Sequence, residues 1–240
     1  DKARTLLFAG CATHEPSGRA EALSLAKIMQ HAGEDFAILG EKEKCCGLYA
    51  KDLGDRKEYA RLERENLQTV REAGVEKIVA ACGSCLRVWK EYPKESLAGM
   101  RVIHGVEYVA EQIQNGKIKF SKNTPAKVTY HDPCHLGRGC GVYDPPREIL
   151  AAIPGVDVVE MPRHGRWAWC CAGGAGVPEA YPDFAQWGRE DRLDEARKTG
   201  ASLLLTTSAL CLRNLTAAKP NASTPQVQGL LEFVCQNLGL

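Results

Sequence analysis

The sequence carries almost no net charge: 31 basic and 30 acidic residues are mixed along 240 positions, for a formal +1. No basic run and no acidic tail stands out, so nothing in it suggests a nucleic-acid partner. No apolar stretch approaches the roughly 18–20 residues of a membrane span; the longest, around residues 202–206, is strand-length. A signal peptide is also missing, and the chain begins at Asp1 rather than Met, opening almost directly into a strand, as a fragment or a processed product would. A chain of this length fills one large domain or two of about 100–120 residues and buries a core without covalent staples.

What the sequence does have is eleven cysteines. A disulfide framework is rejected on three grounds: the number is odd, the chain is large, and adjacent Cys-Cys pairs beside Cys-x-x-Cys suit metal ligation better. A reducing, cytoplasmic setting follows for so many thiolates. Nine of the cysteines form one module written twice. Cys11, the pair Cys45-Cys46-Gly47 and Cys82-Gly-Ser-Cys85 are echoed by Cys134, Cys170-Cys171-Ala172 and Ser208-Ala-Leu-Cys211, at offsets of 123 to 126 residues. Ser208 stands where the repeat calls for a cysteine, and Ala172 where it calls for a glycine.

Each repeat reads strand, helix, strand, helix, strand and a closing helix. The predicted strands are 5–10, 36–39 and 77–81, then 127–130, 156–161 and 203–207. The predicted helices are 19–32, 59–73 and 106–115, then 146–153, 184–198 and 227–238. Such alternation predicts an α/β fold of two similar parallel-sheet domains, residues 1–120 and 126–240, related by a pseudo-twofold axis, with 117–125 as linker. Cys11, Cys82, Cys134 and Ser208 all follow strands, and open α/β sheets bind ligands beyond their strands' carboxyl ends. Each repeat therefore gathers its cysteines at the rim of its own sheet, near the domain interface.

Five thiolates exceed what a tetrahedral zinc ion or a cubane cluster needs. Adjacent cysteines diverge, so they serve two irons more easily than one small ion. The first set, Cys11, Cys45, Cys46, Cys82 and Cys85, thus favours an unusual multi-iron cluster over zinc. Gly47, Gly173 and Gly174 allow the backbone to approach cluster sulfide closely and to donate N–H groups to it.

These motifs, with Leu7-Phe8-Ala9-Gly10-Cys11 and His131-Asp132-Pro133-Cys134 opening the two repeats, resemble the CCG cysteine-rich domain over nearly the whole chain. That domain occurs twice in the B and D subunits of heterodisulfide reductases. It also occurs in the glycerol-3-phosphate dehydrogenase C subunit, lactate-utilisation iron–sulfur proteins and sulfite-reduction K-type subunits. The resemblance implies a noncubane 4Fe-4S cluster on each complete motif. It implies a disulfide reduced, or thiols oxidised, in one-electron steps, with electrons from a ferredoxin-type iron–sulfur subunit or domain. Flavin-containing or membrane quinone/haem subunits are further partners of this type, and would attach the chain to a membrane complex. The paired ferredoxin cysteine run of many relatives is lacking here, so the electrons come from a separate subunit or from polypeptide outside this sequence.

The second set, Cys134, Cys170, Cys171 and Cys211, with or without Ser208, is expected to hold a 4Fe-4S cluster whose form stays open between cubane and noncubane; an empty site is the alternative. Two other functions also stay open: a non-catalytic electron relay, and a zinc-bearing structural subunit. His14, His135, Arg87 and Arg213 are candidates for proton donation or anion binding, against ordinary surface or salt-bridge roles. Cys140 reads as a free loop thiol and Cys235 as a small buried hydrophobe. Trp167 and Trp169 read as a cluster shield or as core.

Overall fold

The computed structural model describes residues 3–97, 99–218 and 224–240. Asp1, where the first predicted domain starts, lies outside them. The first half contains β1 (Thr5–Phe8), α1 (Pro16–His31), β2 (Phe36–Ala37), α2 (Leu48–Asp52) and α3 (Arg56–Ala73). It continues through β3 (Lys77–Ala80), α4 (Gly83–Glu91), β4 (Arg101–His104) and α5 (Gly105–Gln114). The second half contains β5 (Ala126–Tyr130), α6 (Gly137–Cys140), α7 (Asp144–Ala152), β6 (Val156–Val158), α8 (Val177–Ala180) and α9 (Pro182–Lys198). It ends with β7 (Leu203–Thr206), α10 (Ala209–Thr216), β8 (Gln226–Gly229) and α11 (Leu230–Leu238).

Two four-stranded parallel sheets result, ordered β2-β1-β3-β4 and β6-β5-β7-β8. The order is the same once the repeat is allowed for, which fits internal duplication. The central strands are apolar on both faces because helices cover both: Leu6, Leu7, Phe8, Ile78 and Val79 are buried, as are Leu204 and Leu205.

Helices begin earlier than apolar periodicity alone predicts, because their first turns are written in polar residues and proline. Asp55 caps α3 by accepting from the Glu58 N–H at 3.0 Å. Prolines occupy the first turn of α1, α7 and α9, where the missing N–H costs nothing. The strand predicted over 36–39 stops at Ala37, and the next residues enter a 3-10 turn at Gly40–Lys42. That over 156–161 stops at Val158. The helix predicted over 227–238 is in fact strand β8 up to Gly229, then α11. Strand β4 has no counterpart in the prediction. Residues 117–125 form no helix or strand, though Ile118 is anchored in the core. Cys140 is not a loop thiol: it ends α6 and is half-buried. Cys235 is buried within α11.

The halves pack through equivalent pairs. α1 lies on α11, and α7, its counterpart, lies on α5, the counterpart of α11. One hydrophobic core runs through this contact, from Leu25 and Ile28 to Leu230, Leu231 and Val234. The packing brings the carboxyl rims of both sheets toward each other. No helix among the described residues is long and apolar enough to cross a membrane.

Candidate metal centre

In the first half, β1 delivers the chain through Gly10 to Cys11. Gly10 has φ +79°, and a Cβ there would lie 2.9 Å from the Cys85 sulfur, so only glycine leaves room for the two motifs to meet. The Glu43 carboxylate fixes the turn, accepting from the Gly10 N–H at 2.6 Å and the Ala9 N–H at 3.2 Å. Gly47 closes the Cys45-Cys46 pair with φ +90°, and its N–H donates to the Cys45 sulfur at 3.4 Å. Asn66 on α3 donates to the Cys45 carbonyl at 3.0 Å and the Tyr92 hydroxyl to that of Cys46 at 3.4 Å. Cys82 is the N-cap of α4, and Cys85 lies one turn on.

The second half repeats this plan with altered parts. His131, Asp132 and Pro133 lead from β5 to Cys134. Ala172 takes the glycine's left-handed turn at φ +56°, and its N–H donates to the Cys170 sulfur at 3.3 Å. The loop is tied by Asn214, whose amide donates to the Cys171 carbonyl at 2.6 Å. Gly173 packs under α10, where a Cβ would meet the Leu210 carbonyl oxygen at 2.5 Å. Ser208 caps α10, its hydroxyl accepting from the Cys211 N–H at 3.4 Å.

Both cysteine sets converge. The Cys11 and Cys45 sulfurs are 3.5 Å apart, and those of Cys171 and Cys211 are 3.1 Å apart. A disulfide needs about 2.0 Å, and all eleven cysteines are free. Sulfurs crowded this closely polarise one another. The Cys11 thiol beside Cys45, and Cys134 beside Cys170, hold those two sulfurs down to about 2 and are themselves pushed up. Cys82 is held at about 6 by the Cys85 thiol first, with the α4 N-terminal N–H groups adding to it against burial. Such a set keeps some sulfurs anionic and forces protons onto their neighbours, an arrangement that a bound cationic cluster relieves. The residues present therefore fit an iron–sulfur group in each half.

A cavity of about 190 Å³ adjoins the first set, lined by Cys11, Cys45, Cys46, Cys82 and Cys85 together with His14, Tyr49, Ser84 and Arg213. A cavity of about 650 Å³ adjoins the second, lined by its four cysteines, Ser208, Gly174 and His135. Leu210 lines both cavities. Ser84 of the first is hydrogen-bonded to His135 of the second, Oγ to Nδ1, at 2.7 Å. The second half thus supplies Leu210 and Arg213 to the wall of the first cavity, and the two sites are neighbours.

Of the four polar candidates, His14, His135 and Arg213 reach a cavity, and Arg213 also pairs with Glu179 at 3.0 Å. Arg87 does not line either cavity; it pairs with Glu91 at 3.1 Å, and its side chain would meet a Cβ placed on Gly139. Trp167 is not core: it is 76 % exposed at the mouth of the second cavity, beside the half-exposed Trp169 and Trp187. Reasoning from sequence gave no role to Ser84 and Leu210, the spacer residues of their Cys-x-x-Cys and Ser-x-x-Cys motifs, and missed Asn66, Asn214 and Glu43, which belong to no motif. It quoted His131 in a motif without a role. In the fold His131, Cys171 and Cys211 are buried with potential ligand atoms all within 4.8 Å of one another.

The sequence matches the family model for the CCG cysteine-rich domain twice, over residues 5–89 and 128–216. It is 37 % identical to the D subunit of the dihydromethanophenazine:CoB–CoM heterodisulfide reductase of Methanosarcina mazei, over 100 % of this chain and 60 % of that protein. It is 35 % identical to the probable iron-sulfur-binding oxidoreductase FadF of Bacillus subtilis, over 90 % of this chain and 31 % of the relative. It is 34 % identical to the EtfAB:quinone oxidoreductase of Syntrophomonas wolfei, over 86 % and 30 %. The chain therefore spans at most about 60 % of these relatives. Among solved structures, the glutamate racemase RacE1 of Bacillus anthracis overlaps 98 % of this chain and 79 % of its own with a TM-score of 0.42 at 10 % identity, a likeness too loose to carry an argument.

Proposed function

Since the chain belongs to the CCG cysteine-rich domain family, we propose that it is the iron–sulfur redox subunit of a heterodisulfide-reductase-like complex, reducing a disulfide or oxidising two thiols at a noncubane 4Fe-4S cluster in the first half. The observation that supports this most is the convergence of Cys11, Cys45, Cys46, Cys82 and Cys85 as free thiols around one cavity. When bound, such a cluster supplies single electrons at a potential set by its surroundings.

The chain's own residues do the rest. Cys45 and Cys82 are the thiols held low and ready to ligate. The buried sulfurs of Cys46 and Cys85 close the inner side, and Gly47 and Glu43 hold the loops that carry the set. Arg213 places a cation at the cavity wall, suited to a carboxylate or phosphonate on a substrate. His14 places an imidazole there, a proton donor for a departing thiolate.

In the second half Cys134, Cys170, Cys171 and Cys211 would hold a second cluster, which would supply or accept single electrons next to the first site. Leu210, shared by both cavities, favours such a short exchange. It also supports a second reading, a relay with no chemistry of its own between ferredoxin-type clusters and a quinone or haem subunit. A cytoplasmic setting, domains at 1–120 and 126–240, and redox partner subunits complete the proposal.

Anaerobically purified protein is expected to contain iron and acid-labile sulfide for two clusters, and to reduce low-molecular-weight disulfides with a one-electron donor. Full clusters without turnover on any disulfide would leave the relay reading. Zinc without sulfide would overturn both.

A further inference from the structure

His131 lies beside the second sulfur set with its ring held by a buried arginine. It is buried at 1 % exposure. The Arg192 Nε–H, on α9, donates to its Nδ1 at 3.0 Å. Arginine has no acceptor, so Nδ1 must offer its lone pair and the ring proton must sit on Nε2. Nε2 is buried and has no hydrogen-bond partner among the described residues. A ring nitrogen of His131 lies within 4.8 Å of the Cys171 and Cys211 sulfurs. Arg192 itself is fully buried and pinned, donating from Nη1 to the Arg163 carbonyl at 2.9 Å and pairing with Glu195.

This polarity is the reverse of a metal-ligating histidine, which donates from its second nitrogen to an acceptor and keeps a lone pair for the metal. His131 therefore does not replace the thiolate lost at Ser208. We propose that Arg192 sets the tautomer of His131 so that Nε2–H is a hydrogen-bond donor to sulfur at the second site, and that this donor raises the reduction potential of the cluster there. A donor stabilises the more negative, reduced state, and hydrogen bonds to sulfur are among the determinants of iron–sulfur potentials. The matching position of the first half offers no such donor. The 123-residue offset that relates Cys134 to Cys11 places Phe8 opposite His131, and Phe8 packs edge-on against Trp89 with ring centroids 5.4 Å apart. The two sites are thus tuned apart by one position. His131 is a positioning residue for the cluster, and the inference rests on an iron–sulfur group in the second half.

The test is an EPR-monitored redox titration of the anaerobically purified protein, with the second-site signal identified by its loss in Cys211→Ala. His131→Phe, which copies the first half, is expected to shift the second-site midpoint to lower potential. Iron and sulfide content and the first-site signal should stay as in the wild type. His131→Gln, which retains an N–H donor, should restore most of the shift. An unmoved midpoint in His131→Phe overturns the proposal, as does loss of the second cluster's iron.

Because leaving Arg192 unpartnered can itself unfold the protein, ENDOR of wild-type protein labelled with 15N-histidine provides an independent reading. An exchangeable proton coupled to the second cluster, with no directly bonded nitrogen, supports the donor role, and a strong bonded-nitrogen coupling overturns it. Wild-type protein with a first-site cluster and no second-site cluster overturns the donor role alone. Protein with neither overturns the redox-subunit reading as well.

Discussion

Ser208 is the residue at which the two halves part chemically. Its hydroxyl already has work as the cap of α10, whereas Cys82 at the matching place makes no side-chain cap bond. Ser208→Cys should therefore act in two opposite ways. The apoprotein should lose about 1 kcal/mol of stability with the cap, measurable by denaturant unfolding. The loaded protein should gain a fifth thiolate and show a second-site EPR signal closer in form to that of the first. Unchanged signals would place Ser208 outside the site. The nine motif cysteines and Ser208 were legible in the sequence because their spacing is covalent and repeats. His131 and Asn214 were not, because their meaning depends on partners far along the chain. Arg192 is 61 residues from His131, and the Cys171 carbonyl 43 residues from Asn214.

At the scale of elements, the repeat survives by paired compensation. In the first half Gly47 packs beside Leu62 of α3, where a Cβ would meet Leu62 Cδ1 at 3.4 Å. In the second half the turn carries Ala172, and the α9 residue in the matching place is Gly188. A Cβ on Gly188 would sit 2.8 Å from that of Ala172. Bulk has been exchanged across the contact, and the methyl at φ +56° is the strained member. Gly188→Ala should cost about 1–3 kcal/mol by overpacking. Ala172→Gly should gain up to about 1 kcal/mol through relief of the left-handed backbone, and the double variant should recover most of the Gly188→Ala loss. Thermal unfolding of the four proteins checks this; additive effects would mean the two residues are independent. Strands β4 and β8 escaped the sequence reading for a reason at this same scale. Each is a four-residue edge strand with polar, half-exposed positions, and each runs straight into its helix without an intervening turn. The inner strands, buried on both faces, were plain.

At the scale of the molecule, the halves are locked by helices that also bury a carboxyl group. Glu21 on α1 accepts from the Glu232 N–H at the start of α11 at 3.1 Å, and burial raises its pKa from 4.5 to about 8. The folded state then keeps a proton that the unfolded state releases. The associated stability is full below about 4.5 and falls away as pH rises toward 8, at up to about 1.4 kcal/mol per pH unit. Glu21→Gln should flatten this fall, measured by denaturant midpoints across that range. Identical slopes in variant and wild type would show that the Glu21 carboxyl does not keep its proton on folding. The same packing sets the two sulfur-lined cavities side by side with Leu210 between them, and the central claim is that both cavities hold iron–sulfur clusters. The most direct measurement is an anaerobic crystal structure with anomalous scattering at the iron edge. Two iron clusters are expected, one on Cys11, Cys45, Cys46, Cys82 and Cys85, the other on Cys134, Cys170, Cys171 and Cys211. A single mononuclear metal in either half, or iron held by other residues, would contradict the account.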